Sequence, residues 1–169
     1  MDEPGNEKDI FEEAKKVLED LLDLMELPGV IRPSDEFTAN DENGKLVSVG
    51  LNIEGDDLGI LIGRRGQTMA ALQYIVRLIM AHKMQVQLPV ILDVEGYKQR
   101  RCEGLRNLAL RLAEQVKTRN VPFTMEPMPA FERRVVHMAL ADHPDVTTES
   151  SGVGESRKVV IIPKKLPYN

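Results

Sequence analysis

Gly63-Arg64-Arg65-Gly66 interrupts a stretch, Gly59 to Ile79, that is otherwise apolar and helical in character. Two glycines three apart, enclosing two arginines at the start of a helical run, are suited to holding an anion. Glycine allows positive φ and lets another backbone come close. The first amides of a helix lack internal acceptors and sit at the positive end of its dipole, and Arg64 and Arg65 add charge at the same place. A second pair of chemical groups stands at Arg133 and His137, four residues apart and so on one face of a helix. A guanidinium gives a planar fork of donors, and an imidazole gives one donor when neutral or two when charged.

Other phosphate loops fit poorly. A Walker A loop needs a longer gap between its glycines and a Lys followed by Ser or Thr, whereas Gly66 is followed by Gln67-Thr68. Gly59, Gly63 and Gly66 also have the wrong spacing for a dinucleotide fingerprint. A plain helix-helix turn with solvated arginines is the bland reading of the tetrapeptide alone. Likewise, an isolated Arg-x-x-x-His is more often a solvated cation beside a structural histidine.

The elements around these residues decide which reading to take. Ile10 to Met25 is an amphipathic helix, ended by a loop through Pro28-Gly29 and Pro33. Asn43-Gly44 marks a hairpin, and Val47, Val49, Leu51 and Ile53 alternate as a strand should. Asp56 or Asp57 is placed to cap a short helix over Leu58 to Ile62. A longer helix starts near Gln67 and turns Leu72, Ile75, Val76, Ile79 and Met80 inward. Val86 to Val94 alternate as a further strand, which Pro89 puts at an edge or a bulge. After Gly96 come a helix from Tyr97 to about Lys117, a short strand over Phe123 to Glu126, and a helix from Ala130 to Ala141. Two strands close the chain, Val146 to Ser150 and Lys158 to Ile162.

The 169 residues carry a net charge of −5, which obscures how unevenly it is distributed. The first 58 residues hold 5 Lys/Arg against 17 Asp/Glu, while residues 98–169 hold 13 against 8. A local basic face, not the average, is what attracts a polyanion. The single cysteine, Cys102, excludes an internal disulfide, and with three scattered histidines it offers no metal cluster. No apolar run is long enough to span a membrane and no export signal is visible at the acidic amino terminus, so a cytoplasmic protein without membrane insertion is expected.

Strand, short helix, Gly-x-x-Gly, long helix, strand is the order of a KH domain, which clamps about four nucleotides of single strand. "GRRGQTMAALQYIV" followed by "LDVEGY" closely resembles the KH portion of the bacterial Jag family, also called SpoIIIJ-associated or EloR/KhpB proteins. "MEPMPAFERRVVH", then "VTTESSGVGESRKVVIIP", resembles the R-three-H domain that follows it in that family. The resemblance implies an α+β chain: an acidic segment over 1–35 whose helix opens the KH unit, a type II KH domain over 36–96, and a small α/β R-three-H domain over 97–165. It implies that Gly63, Arg64, Arg65 and Gly66 form a nucleic-acid loop, with Ile60 and Ile62 as an apolar platform for bases. It places Arg133 and His137 in the second signature, with Arg134, Ser150, Gly152, Arg157 and Lys158 in its flanks.

The implied partner is single-stranded RNA, with DNA as the alternative, and the implied role lies in cell elongation, division and post-transcriptional regulation. A small single-KH protein, or self-association through the KH unit, is the implied protein partner; an adaptor with little RNA affinity is the competing reading. Many Jag proteins carry a further amino-terminal domain, so functions tied to it are not expected of these residues. Lys98 stands where the family usually has Arg.

No catalytic residue, metal or cofactor is expected. Glu132 points about 100° away from Arg133 around a helix, so the two do not form a phosphodiesterase site with His137. Helix capping accounts for Asp56-Asp57 without a metal. Cys102 falls on an apolar stripe and reads as an inert thiol.

Overall fold

A computed structural model of the chain describes residues 7–85 and 88–164. It divides into two compact units, Met1–Lys98 and Gln99–Asn169.

In the first unit, helix α1 (Glu7–Leu24) buries Ile10, Ala14, Val17, Leu18 and Leu22, the stripe that a 3.6-residue period dictates. Strand β1 (Val30–Pro33) follows where the sequence suggested only a loop, with Pro33 at its end. Strand β2 (Ala39–Asn40) leads through the Asn43-Gly44 turn into β3 (Leu46–Glu54). The Asp41 carboxylate fixes that turn by accepting from the Asn43 and Lys45 amides at 2.9 Å. Helices α2 (Gly59–Ile62) and α3 (Gln67–Met84) then carry the chain to β4 (Val90–Val94).

Strand β3 is central: Leu51 pairs with Pro33 of antiparallel β1 on one side and with Leu92 of parallel β4 on the other. Its alternation holds for Val49, Leu51 and Ile53, but Val47 is exposed and Leu46 buried. The reason is an irregularity in the pairing with β2, where Ala39 faces Ser48 and Asn40 faces Leu46, so that Val47 is an extra residue. Strand β4 is shorter than expected: Leu88 and Pro89 precede it, and Val86 lies outside the described residues. On α3, Leu72, Val76 and Met80 are buried and Ile79 is partly so, but Ile75 turns outward at 44% exposure.

The second unit is organised around α4 (Tyr97–Arg119), which buries Leu105, Ala109, Leu112, Ala113 and Val116. Leu108, assigned to the same stripe, is at its exposed margin, and Cys102 is half-buried against the core. Strand β5 is only Phe123–Thr124, and Glu126 lies beyond it. Helix α5 (Ala130–Ala139) starts from Pro129 and ends two residues early, with Leu140 as its C-terminal cap. Strands β6 (Val146–Ser151) and β7 (Lys158–Pro163) pair antiparallel, from Val146↔Pro163 to Ser151↔Lys158, and β5 adds to the other edge of β7. Val136, Leu140, Val146, Val159 and Ile161 close the core.

Candidate nucleic-acid interface

The glycine turn is a sharp joint between α2 and α3. Leu61 anchors α2 in the core, and Gly63 leaves the helix at φ 68°, ψ −173°, a conformation side chains do not favour. A Cβ at Gly63 would stand 2.7 Å from Thr68 Cβ and 2.9 Å from Thr68 N. Arg64 to Gly66 form a single 3-10 turn in which Arg65 itself adopts left-handed φ 54°, ψ 33°. Gly66, at φ 78°, is buried, and a Cβ there would meet Tyr97 Cε1 at 3.0 Å. Gly63 is therefore required by space as well as by φ, and Gly66 by its φ, with tight contact to Tyr97. Arg64 is exposed and Arg65 half-buried.

Two expectations for this turn need correction. Neither Asp56 nor Asp57 caps α2: Leu58 occupies the cap position without a side-chain bond, and Asp57 instead adopts φ 59° in the preceding turn. Nor does the turn offer a row of free amides from Gly63 to Gly66. The Gly63 amide donates to Gly59 O at 2.9 Å, Gly66 to Gly63 O at 3.4 Å, and Gln67 to Arg64 O. These three donors are spent within the turn, and the Arg64 and Arg65 side chains add positive charge beside it. Ile60 is 64% exposed beside the turn, whereas Ile62 packs partly against the core.

Beneath the turn lies a polar group that the sequence motif does not announce. Asp93, at the end of β4, is buried and accepts from the Lys98 amide at 3.1 Å. The Lys98 ammonium lies over the Phe37 ring at 5.0 Å and reaches Gln73 Oε1 at 3.5 Å. Burial holds this ammonium below its ordinary pKa, against the opposing attraction of Asp93 and Glu36. Lys98 is thus a half-buried cation, next in sequence to the Tyr97 that supports Gly66.

In the second unit, α5 and β6 build a different kind of site. His137 Nδ1 is 2.6 Å from Thr148 Oγ1 and Nε2 is 2.8 Å from Ser150 Oγ. Thr148 and Ser150 are two apart on β6 and so share a face. Burial, and then the charge of Arg133, hold the imidazole below its ordinary pKa of 6.5. With both ring nitrogens engaged, His137 organises the two hydroxyls and is not free to grip phosphate by itself. Arg133 is half-buried, and its Nε is buried without a hydrogen-bond partner. Glu132, 7% exposed, is held elsewhere: Arg101 Nε and Nη2 donate to its two oxygens at 2.8 and 2.9 Å.

Residues 15–92 match the family model of the KhpA/KhpB KH domain, and residues 103–163 match that of the R-three-H domain. A protein of Clostridium symbiosum named RNA-binding protein KhpB is 36% identical over 154 residues, 91% of this chain and 66% of that protein. The chain belongs to the KhpB, or Jag, family. Proteins of the same name from Bacillus subtilis and Lactiplantibacillus plantarum are 36% and 37% identical over 120 and 115 residues, covering 70% and 68% of this chain. The chain spans 66% of the length of the Clostridium symbiosum protein, 58% of the Bacillus subtilis protein and 36% of the Lactiplantibacillus plantarum protein.

Within this KhpB-type chain, the structure brings Gly63, Arg64, Arg65, Gly66 and Ile60 to one turn, with Ile62 partly turned inward. It brings Arg133, His137 and Ser150 together in the second unit. Arg134, Gly152 and Arg157 are exposed, and Lys158 is half-buried opposite Ser151. Thr148 was missed although its two-residue spacing from Ser150 was a usable signal. Arg101–Glu132 had none, since 31 residues separate the pair. Among the described residues, no three His, Cys, Asp or Glu side chains assemble as a metal site, and no helix is long and apolar enough to cross a membrane.

Proposed function

We propose that this chain binds single-stranded RNA in the cytoplasm, through the Gly63–Gly66 turn of a KH module over 36–96 with α1 as its first helix, and through Arg133 and the His137 hydroxyl site of an R-three-H module over 97–165. The observation that carries this reading is the turn itself: two glycines required by their positive φ hold Arg64 and Arg65 at the joint of two helices. Its relatives' name, RNA-binding protein KhpB, supports RNA as the ligand. Ile60 supplies an apolar surface for bases, while Arg134, Arg157, Lys158 and the Gly152 turn flank the second site. With an aromatic content of 4%, extended base stacking has few platforms and selectivity should be modest. The chain acts by binding, not by catalysis, within cell elongation, division and post-transcriptional regulation.

The test is fluorescence anisotropy of a labelled single-stranded RNA across a salt series. Wild type should show a log–log slope of about −0.7 per phosphate contacted. Arg64→Asp/Arg65→Asp and Arg133→Ala/His137→Ala should each weaken binding and flatten the slope. Equal, weak binding by all three proteins would remove the reading.

A second reading is favoured by α3, where Tyr74, Ile75 and Leu78 are all exposed. That apolar face suits association with a second KH unit, from another copy or from a small single-KH protein. An adaptor of this kind keeps its protein partner when Arg64 and Arg65 become Asp.

A further inference from the structure

We propose that Ser150, switched between donor and acceptor by His137, reads the ribose 2′-hydroxyl of a bound strand and so gives this chain a preference for RNA over DNA. The inference rests on the reading that the second unit binds a single strand.

A neutral imidazole has one N–H and one lone pair, and both are taken by hydroxyls in this site. Only two arrangements satisfy the ring. In one, Nε2–H donates to Ser150 and Thr148 donates to Nδ1, leaving the Ser150 proton free. In the other, Nδ1–H donates to Thr148 and Ser150 donates to Nε2, leaving lone pairs free on Ser150. The ring stays neutral in both, so Ser150 presents its proton and one lone pair in the first and lone pairs alone in the second, without a net proton gained or lost. The depressed basicity of His137 keeps the ring in the neutral form on which this exchange depends.

A phosphate oxygen can only accept, and an array of fixed N–H donors serves it best. The ribose 2′-hydroxyl both donates and accepts, and it is what separates RNA from DNA at a protein site. The surroundings place phosphate recognition elsewhere. Arg133, with its unpaired Nε, stands one helical turn from His137, about 6 Å along the axis. At the other end, Ser150 pairs in register with Val159, so Lys158, paired with Ser151, belongs to the opposite face of the sheet, while Arg157 just before β7 is exposed. A sugar at Ser150 would thus have the Arg133 guanidinium on the α5 side, a charge suited to an adjoining phosphate. Ser150 is half-buried, open enough to be reached and enclosed enough for its hydrogen bonds to count.

The experiment measures the affinity of the full chain for single-stranded RNA, DNA and 2′-O-methyl RNA of one sequence, for wild type and Ser150→Ala. Wild type should prefer RNA to DNA by about fivefold, the effect of one hydrogen bond of ordinary strength. The 2′-O-methyl strand, which cannot donate, should fall between RNA and DNA or below both. Ser150→Ala should lose affinity for RNA alone and bring the RNA-to-DNA ratio close to one. Thermal melting checks that the variant folds, and an unchanged melting curve with a collapsed ratio supports the assignment. Equal wild-type affinities for RNA and DNA would overturn it while leaving strand binding intact. A preference that survives Ser150→Ala, or a proportional loss on both strands, would also overturn it. Failure of wild type to bind either strand would remove the underlying reading as well.

Discussion

The two units carry cationic sites built by opposite means. In the first, the backbone does the work: Gly63 and Gly66 fix a turn whose conformation carries Arg64 and Arg65 into place. In the second, side chains on two regular elements do it, with α5 supplying Arg133 and His137 and β6 supplying Thr148 and Ser150. A backbone site fails when a Cβ is added. A side-chain site fails when a partner is removed, and it can be tuned by a proton.

The largest effect expected from this contrast lies away from either contact surface. Glu132→Ala leaves the partly buried Arg101 guanidinium without its bidentate partner, and loss of one member of a buried pair costs about 3–5 kcal/mol. Arg101 keeps some access to water, so about 2–3 kcal/mol is expected here. Hydrogen exchange should show the loss in α5 and β6 while the β1–β3–β4 sheet keeps its protection. A double variant, Arg101→Met/Glu132→Leu, should regain much of it, because apolar groups of similar size often replace such a pair without penalty. Uniform loss of protection in both units would contradict the confinement of the pair to the second unit.

Next comes the backbone site. Gly63→Ala meets Thr68 and must hold φ 68°, ψ −173°, a strain of about 1–3 kcal/mol. The chain should remain folded with its α2–α3 joint distorted, so RNA affinity should fall more steeply than melting temperature. Gly59→Ala, where a Cβ meets nothing within 4 Å, is the matched control and should change neither. If both substitutions behave alike, the turn does not depend on Gly63 in the way the geometry requires.

The same contrast explains what the sequence could reveal. Periodicity made α1, α3, α4 and most of β3 legible, because burial of one face repeats at a fixed interval. The glycine turn was legible as a feature because Gly63 and Gly66 break an apolar helix. What escaped was non-local. Val47 turns outward because of its pairing with β2, and Ile75 is exposed on a helix whose packing neighbours cover too narrow a stripe to include it. Lys98 is drawn over Phe37, 61 positions earlier in the chain, a contact that no local pattern announces. Asp56 and Asp57 had the right type and place for a cap, and the left-handed turn at Asp57 removed the geometry a cap needs.

The smallest expected effect concerns the proton on His137. Its folded-state pKa lies below the ordinary 6.5 because burial and Arg133 disfavour the cation. From about 6.5 downward the unfolded chain therefore takes up a proton more readily than the folded one, and stability falls with pH until the folded pKa is passed. Above that window the contribution is complete and pH-independent. Protonation also turns both ring nitrogens into donors, so Thr148 and Ser150 must each accept, and their freedom to exchange roles is lost. Wild type and His137→Gln should thus differ in the slope of second-unit stability between about pH 7 and pH 5, with the shallower slope in the variant. Because His137 is half-exposed, the difference should be a fraction of the Glu132→Ala effect. Identical slopes would mean that the imidazole is not held neutral by its surroundings, and that the side-chain site is no more proton-sensitive than the backbone site.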